Sequence, residues 1–154
     1  MICYLRMSSM KKKIVTLGGG SGSNAVLKGL AVYKDLDITA LVTMADDGGS
    51  TGVLRNEMQV QSVGDSRQAL AALAQGDEGI RRLFQYRFHD GPCKGHSLGN
   101  IMLAAGEQLF GNFEQSLECL SRMLHVSGKV LPITLDKPRI QAARANGEII
   151  VGEG

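Results

Sequence analysis

The fold of this 154-residue chain is decided by residues 14–22, Ile-Val-Thr-Leu-Gly-Gly-Gly-Ser-Gly. Residues 14–17 are apolar and largely β-branched, and the glycine cluster ends them, which is typical of a buried strand. Residues 24–33 have apolar side chains at helical spacing, and residues 38–44 form a second apolar run. A strand, a glycine turn, a helix and a strand make a βαβ unit with parallel strands. The sequence therefore predicts an α/β fold with a mostly parallel sheet.

Further helices are predicted downstream of this unit. Asp65 is the expected N-cap of one, because a glutamine three residues later completes a capping box. Apolar spacing predicts helices at residues 78–88 and 97–110, and another from residue 113 that Gly128 would stop. From Val130 the pattern changes to strands, and Asn-Gly at residues 146–147 predicts a hairpin with a type I′ turn.

The composition is that of a globular protein. Hydrophobic residues make up 44% and charged residues 21%, which excludes a disordered or collagen-like chain. The formal net charge of +2 is too small to indicate nucleic-acid or membrane-surface binding. No segment approaches the roughly 18 apolar residues of a membrane span. An odd number of cysteines and the lack of a predicted signal peptide indicate a cytoplasmic protein.

The sequence predicts one incomplete domain. Residues 1–9 are expected to form a disordered N-terminal extension, and residues 10–154 the N-terminal part of a single α/β domain. The chain stops directly after an apolar strand, without a closing element. An unfinished sheet edge favours self-association, so we expect a homo-oligomer.

The first candidate site is the glycine loop after the first strand, Gly18, Gly19, Gly20, Ser21 and Gly22. A glycine-rich turn that opens a helix points backbone N–H groups at one spot, where an anion binds. The loop has neither the Gly-Lys-Ser/Thr end of a P-loop nor the spacing of a dinucleotide loop. A mononucleotide or sugar-nucleotide phosphate therefore fits it best. The alternative is a tight turn without a ligand.

The second candidate site follows the second strand and comprises Asp46, Asp47, Gly48, Gly49 and Ser50. Two carboxylates at the carboxyl end of a strand are placed to hold Mg²⁺ with a phosphate, or to accept hydrogen bonds from ribose hydroxyls. We expect one carboxylate to face the site and the other to cap the loop; a purely structural role is the alternative. Residues 48–52 also match the G-x-S-x-G of serine hydrolases. That interpretation is disfavoured, because the motif follows only the second strand and the carboxylates would oppose an oxyanion.

Two later turns add candidates. Gly64 and Asp65 open a predicted helix from which Arg67 is placed to grip a phosphate, unless it is a surface charge of a capped helix. Arg55 and Arg87 are further phosphate partners or solvated helix charges. His96 is a candidate general acid or hydrogen-bond donor, with Asn100 one turn into the next helix; the alternative is a structural histidine. Cys93 lies near His96, but no second pair at ligand spacing follows, so zinc is not expected.

Taken together, six ordered blocks resemble the bacterial YvcK family, also called the gluconeogenesis factor family, over residues 10–154. The blocks are residues 14–22 (IVTLGGGSG), 42–55 (VTMADDGGSTGVLR), 64–68 (GDSRQ), 86–88 (YRF), 95–100 (GHSLGN) and 130–134 (VLPIT). The resemblance implies kinship with CofD, the phospholactate transferase of deazaflavin cofactor synthesis, and its three-layer α/β core with a Rossmann-like sheet. It also implies a cytoplasmic protein that is connected with cell shape and gluconeogenic growth and binds UDP-sugars such as UDP-N-acetylglucosamine.

By resemblance, the glycine loop and Asp46 to Ser50 are the nucleotide or phosphate-binding loops, and Gly64 to Arg67 and His96 to Asn100 are walls of the same cleft. No reaction is firmly attached to the YvcK branch. The alternative is a CofD-like transferase with Mg²⁺ on the aspartates, which the bulkier segment of CofD after its paired aspartates disfavours. This chain has Ser21 where the family more often has threonine, has Ser-Val at residues 62–63 where Pro-Pro is common, and is about half the family length.

Overall fold

A three-stranded parallel sheet organises the computed structural model, which describes residues 11–152. The strands are β1 (Lys12–Gly18), β2 (Leu36–Val42) and β3 (Lys129–Pro132), and β2 lies between the other two. Both strand pairs are parallel, as the βαβ pattern predicts. The α/β class is therefore confirmed. The predicted extension at residues 1–9 lies outside the described residues.

Six helices and a hairpin accompany the sheet within residues 11–152. They are α1 (Gly20–Leu30), α2 (Gly49–Met58), α3 (Gly64–Leu73), α4 (Glu78–Gln85), α5 (Leu98–Phe110), α6 (Phe113–Met123), β4 (Gln141–Ala143) and β5 (Ile149–Val151). Helices α1, α3 and α6 pack on the sheet, and α2, α4 and α5 form an outer layer. The described chain thus has three layers, with the mostly buried α3 in the middle one. The longest helix, α5, has 13 residues, and no helix among those described is long and apolar enough to cross a membrane.

The two faces of the sheet differ in environment. Side chains alternate between faces along a strand, and Ile38, Ala40 and Val130 are buried under the helices. On the opposite face, Val15 is 64% exposed and Leu17 is 70% exposed. Within the described residues, the sheet therefore has one packed face and one exposed apolar face.

Helix α2 is the largest departure from the sequence prediction, which treated its glycine-rich start as a loop. Glycine, serine and threonine have low helix propensity, so the sequence of residues 48–52 gives little local signal. The helix forms because its inner face, with Thr51, Leu54 and Arg55, is buried. Tertiary packing supplies most helix stability in proteins and here overrides the propensity.

Helix α1 likewise begins earlier than predicted, at Gly20 rather than residue 24, and ends at Leu30. Helix α4 ends at Gln85, because the next residues leave it to pair with the strand-like segment before α5. In that pairing the Phe88 amide donates to the His96 carbonyl, at 2.9 Å. Helix α6 ends at Met123, before the predicted stop. The glycine at position 128 makes a close approach to β2 on entry to β3.

The predicted capping box at Asp65 is wrong. The N-cap of α3 is Val63, and no side chain caps it. The Asp65 carboxylate instead accepts the Gly20 amide at 2.8 Å. The Gln68 side chain, 3.5 Å away, donates to that same carboxylate rather than to the start of the helix. The Asp65 carboxylate, which the local sequence predicts as a helix cap, therefore forms a long-range hydrogen bond instead.

The C-terminal hairpin is confirmed, but its turn is not type I′. Strands β4 and β5 are antiparallel. A type I′ turn needs positive φ at both central residues, and of Asn146 and Gly147 only the glycine has it, at 84°. The Gly147 amide donates to the Arg144 carbonyl at 2.9 Å. This pattern is a three-residue loop whose last residue is left-handed, a common hairpin connection in which only the glycine position is demanding.

Glu107 on α5 gives the stability of the fold a predicted pH dependence. Its carboxylate accepts the Gln61 amide at 2.8 Å. Burial raises its pKa above the usual value, against the opposing effects of the Gln61 hydrogen bond and Lys137. The folded chain therefore binds more protons than the unfolded chain between the two pKa values, so stability falls as pH rises through that window.

We expect Glu107→Gln to raise the free energy of unfolding at pH 7, because an amide oxygen still accepts the hydrogen bond without a buried charge. The gain should vanish at a pH well below the unfolded glutamate pKa of about 4.3, where both states are protonated. Urea denaturation at the two pH values measures it. Glu57→Gln on the exposed side of α2 is the control. A loss of stability at pH 7 would contradict the prediction.

Candidate functional site

The candidate site is a cleft of about 510 Å³ at the carboxyl ends of β1 and β2. Ligands of open α/β sheets commonly bind at this position, because the loops after neighbouring parallel strands meet there. The cleft joins three of the predicted blocks. Its polar lining includes Thr43, Asp46, Asp65 and Gln68, and its glycine wall is Gly19 and Gly20.

The loop needs glycine where it approaches the start of α3 closely. A Cβ atom on Gly19 would lie 2.0 Å from Asp65 Oδ2 and 2.3 Å from Thr43 Oγ1. Gly20 has a φ of 70°, a left-handed conformation that side chains disfavour. The absence of side chains lets the start of α1 approach the Asp65 carboxylate closely.

The Asp65 side chain binds this loop from within the protein, in the place where a bound anion is expected. Its carboxylate accepts the Gly20 amide at 2.8 Å and the Thr43 hydroxyl at 3.2 Å. A negative group at a helix N-terminus is favoured by the helix dipole. Part of the predicted phosphate cradle is thus occupied by the protein itself. Ser21 and Gly22, the next residues of α1, are exposed.

The paired aspartates separate in the structure. Asp46 lines the cleft and accepts the Gly48 amide at 3.0 Å, so it both faces the site and caps the loop. Asp47 turns inward, where its oxygens lie 3.1 Å from Arg55 Nη1 and 3.6 Å from Arg139 Nη1. Arg55 is buried at the base of the loop and is neither a solvated helix charge nor a free phosphate partner.

The aspartates do not fit the expected magnesium site. Mg²⁺ needs carboxylate oxygens whose charge is available to it, and the charge of Asp47 is offset by two guanidinium groups. Among residues 11–152 no cluster of three or more His, Cys, Asp or Glu side chains has metal-binding geometry. The carboxylate of Asp47 therefore serves its arginine partners and that of Asp46 the Gly48 amide, in place of a metal ion.

Four polar side chains from three predicted blocks form a hydrogen-bonded chain, and none of the four is among the residues that line the cleft. Ser50 Oγ lies 2.9 Å from His96 Nδ1. Asn100 Nδ2 donates to Ser50 Oγ at 3.0 Å, and Arg67 Nε donates to Asn100 Oδ1 at 2.9 Å. Asn100 is 2% exposed, and its backbone amide is held by the Ser97 cap of α5. The network joins α2, α3, α5 and the loop that carries His96.

Arg67 places positive charge at this network. Burial lowers its pKa most, the nearby Arg87 lowers it further, and Asp65 opposes both. Its two terminal nitrogens have no hydrogen-bond or ion-pair partner within residues 11–152. A half-buried guanidinium whose two terminal nitrogens have no partner among the described residues is suited to a phosphate, which accepts hydrogen bonds from both.

Sequence reasoning did not single out Thr43 and Gln68, although both line the cleft. Their signal was their position: each is a polar residue inside a block of the resemblance, next to a named candidate. The link between Ser50 and His96 did have a signal, the serine of the G-x-S-x-G motif and a candidate acid–base histidine, but the sequence disfavours the hydrolase interpretation. The contact itself depends on α2, which the sequence did not predict.

Comparison with known proteins agrees with the fold and the motifs. A family model described as 2-phospho-L-lactate transferase CofD matches residues 14–154. The gluconeogenesis factor of Bacillus subtilis is 44% identical over 144 residues, which cover 93% of this chain and 45% of that protein. The gluconeogenesis factor of Listeria monocytogenes is 43% identical over 145 residues, covering 93% and 44%.

Solved structures show the same similarity. The crystal structure of protein BH3568 from Bacillus halodurans matches with a TM-score of 0.87 at 41% identity, covering 93% of this chain and 46% of that one. The chain spans between about a third and a little under half of the length of the curated relatives it matches. The sequence resemblance is confirmed: the chain belongs to the CofD family and is similar to the members named gluconeogenesis factor.

Proposed function

We propose that this chain is the N-terminal part of a nucleotide-sugar-binding regulator, and that a UDP-sugar binds in the cleft between the glycine loop and α3. The observation that carries the proposal is Arg67, a half-buried guanidinium whose two terminal nitrogens have no partner within residues 11–152, on the same helix as Asp65 and Gln68, which line the cleft of about 510 Å³. The name gluconeogenesis factor, which these relatives carry, supports a role in carbon metabolism. The proposed protein also regulates cell shape, and it acts in the cytoplasm.

Different polar groups bind different parts of the proposed ligand. Phosphate oxygens accept hydrogen bonds from Arg67 and from the amides of Ser21 and Gly22 at the start of α1. Ribose and sugar hydroxyls donate to the carboxylates of Asp46 and Asp65 in the cleft. The Gly20 amide is not needed for phosphate, because Asp65 already accepts it. Binding of this kind requires no metal.

We expect Arg67→Ala to weaken binding of UDP-N-acetylglucosamine about tenfold or more, because each lost hydrogen bond to a charged group is worth about 1.5 to 3 kcal/mol. Isothermal titration calorimetry of the purified chain measures the affinity, and a thermal melt confirms that the variant is folded. Arg82→Ala removes the same charge from the exposed surface of α4 and is the control. Equal affinity of the Arg67 and Arg82 variants would remove Arg67 from the site.

A CofD-like transferase is the second candidate function. The description of the matching family favours it, and it would move a phospholactyl group from a nucleotide carrier to a flavin-like acceptor with Mg²⁺. The pairing of Asp47 with two arginines counts against the metal site that this reaction is expected to use. Product formation that depends on both Mg²⁺ and an acceptor would favour the transferase, and binding without turnover the regulator.

The exposed sheet face supports a further part of the proposal, self-association of the chain. Val15 and Leu17 present apolar surface there, and burial of apolar surface is the main driving force of association. Sedimentation velocity of the purified chain measures its oligomeric state.

A further inference from the structure

The hydrogen bond between Ser50 and His96 takes its direction from the histidine tautomer, and with the ring proton on Nε2 the serine hydroxyl is the donor. Asn100 Nδ2 donates to Ser50 Oγ, at 3.0 Å. Because an amide NH₂ group can only donate, the Asn100 side chain uses one lone pair of the serine hydroxyl oxygen. The serine proton is then free to point at His96 Nδ1, 2.9 Å away. This arrangement matches a nucleophile with its general base, in which the hydroxyl donates to a neutral imidazole nitrogen.

Ser50 also lies where developing negative charge is stabilised. It is the second residue of α2, and the motif at residues 48–52 joins β2 to this helix through a loop. The first amides of a helix lack partners within it, and the amides of Gly49 and Ser50 have no acceptor among the described residues. Such amides at a helix N-terminus are oxyanion donors. Of the two carboxylates before the helix, Asp47 is offset by Arg55 and Arg139, and Asp46 accepts the Gly48 amide at 3.0 Å.

We propose that Ser50 is a nucleophile that His96 activates, and that it accepts a phosphoryl group from an activated phosphate ester. Ser50 Oγ forms a bond to phosphorus, and the bond from phosphorus to the leaving group breaks. The leaving group departs with its electron pair, and the serine proton passes to His96 Nδ1. A phosphoryl group is the favoured electrophile because Arg67, joined to Ser50 through Asn100, offers two free donors to its oxygens.

Accessibility is consistent with this chemistry. Ser50 and His96 are each half-buried, whereas their positioning partner Asn100 is buried. A small phosphorus electrophile therefore has a path to the hydroxyl oxygen, and the amide that orients the oxygen is held in place. The inference goes beyond the proposed function, since a site that only binds a UDP-sugar has no need of an activated serine.

The test uses an alkyl fluorophosphonate, whose P–F bond breaks when a serine attacks phosphorus. Intact mass spectrometry and peptide mapping should find one adduct, at Ser50, on the folded chain. No adduct should form at that position in Ser50→Ala, and His96→Gln should slow labelling about 100-fold, within the usual range for a general base. Ser127→Ala and His125→Gln, a serine and a histidine outside the network, are the controls and should label at the wild-type rate.

Two results would overturn the proposal: no adduct at Ser50 in wild-type chain with a cooperative thermal melt, or labelling at Ser50 that is as fast in His96→Gln. Titration of the unlabelled chain with UDP-N-acetylglucosamine separates this outcome from the proposed function. Binding without labelling would remove only the nucleophile. Labelling without binding would remove only the nucleotide-sugar site.

Discussion

Arg55→Ala is expected to lower the free energy of unfolding by about 3 to 5 kcal/mol, the usual cost of removing one partner of a buried ion pair. The Arg55 side chain is 2% exposed and that of Asp47 is 6% exposed, with 3.1 Å between Nη1 and Oδ1. The guanidinium also donates to the carbonyl of Asp46 at 3.0 Å and to that of Pro138 at 2.7 Å. The variant would leave a buried carboxylate and two carbonyl groups without their donor.

Arg139 limits the loss but does not prevent it. Its Nη1 is 3.6 Å from Asp47 Oδ2, and its side chain is 45% exposed, so solvent screens its charge. Urea denaturation followed by circular dichroism measures the change. Arg81→Ala, which removes an exposed pair with Glu78, is the control and should cost less than about 1 kcal/mol. A similarly small loss in Arg55→Ala would show that the buried pair is not a main support of the loop.

Gly52→Ala is expected to lower the free energy of unfolding by about 2 to 3 kcal/mol, the upper part of the usual cost of overpacking. A Cβ atom there would lie 2.2 Å from the carbonyl oxygen of Asp47 and 3.1 Å from its carbonyl carbon. Both atoms belong to the backbone and cannot move away by a change of rotamer. Helix α2 must shift, which also moves Ser50 away from His96.

Gly29→Ala is the matched control for this substitution. Gly29 is also a helical glycine, in α1, and a Cβ atom there meets nothing within 4 Å. Alanine at such a site is expected to raise stability by about 0.5 to 1 kcal/mol, because glycine loses more conformational freedom on folding. Thermal and urea denaturation of both variants give the comparison. If Gly52→Ala were as stable as Gly29→Ala, the close approach of α2 to the loop would be refuted.

Asp47 connects the two substitutions. Its carboxylate is held by Arg55 and its carbonyl group is in contact with Gly52. Adjacent aspartates are therefore used for different purposes: Asp47 fixes the loop between β2 and α2, and Asp46 lines the cleft. The sequence could not assign these purposes, because neighbouring residues of a loop differ only in the direction that packing gives them.

The sequence determined the parallel βαβ core and the C-terminal hairpin. Both depend on short-range patterns, since apolar periodicity, turn residues and the handedness of crossovers act over few residues. In the structure the glycine loop, Asp46 and Asp65 line one cleft. The ligand assigned to those residues stays a prediction.

Only the tertiary structure decided how the polar groups are paired. The Asp65 carboxylate binds the Gly20 amide instead of capping its own helix, and Ser50 meets His96 across 46 positions of sequence. Helix α2, which carries that serine, has weak local propensity and depends on burial of its inner face. Buried polar groups take whichever partner satisfies them. That choice depends on distances between remote segments, so local sequence patterns do not contain it.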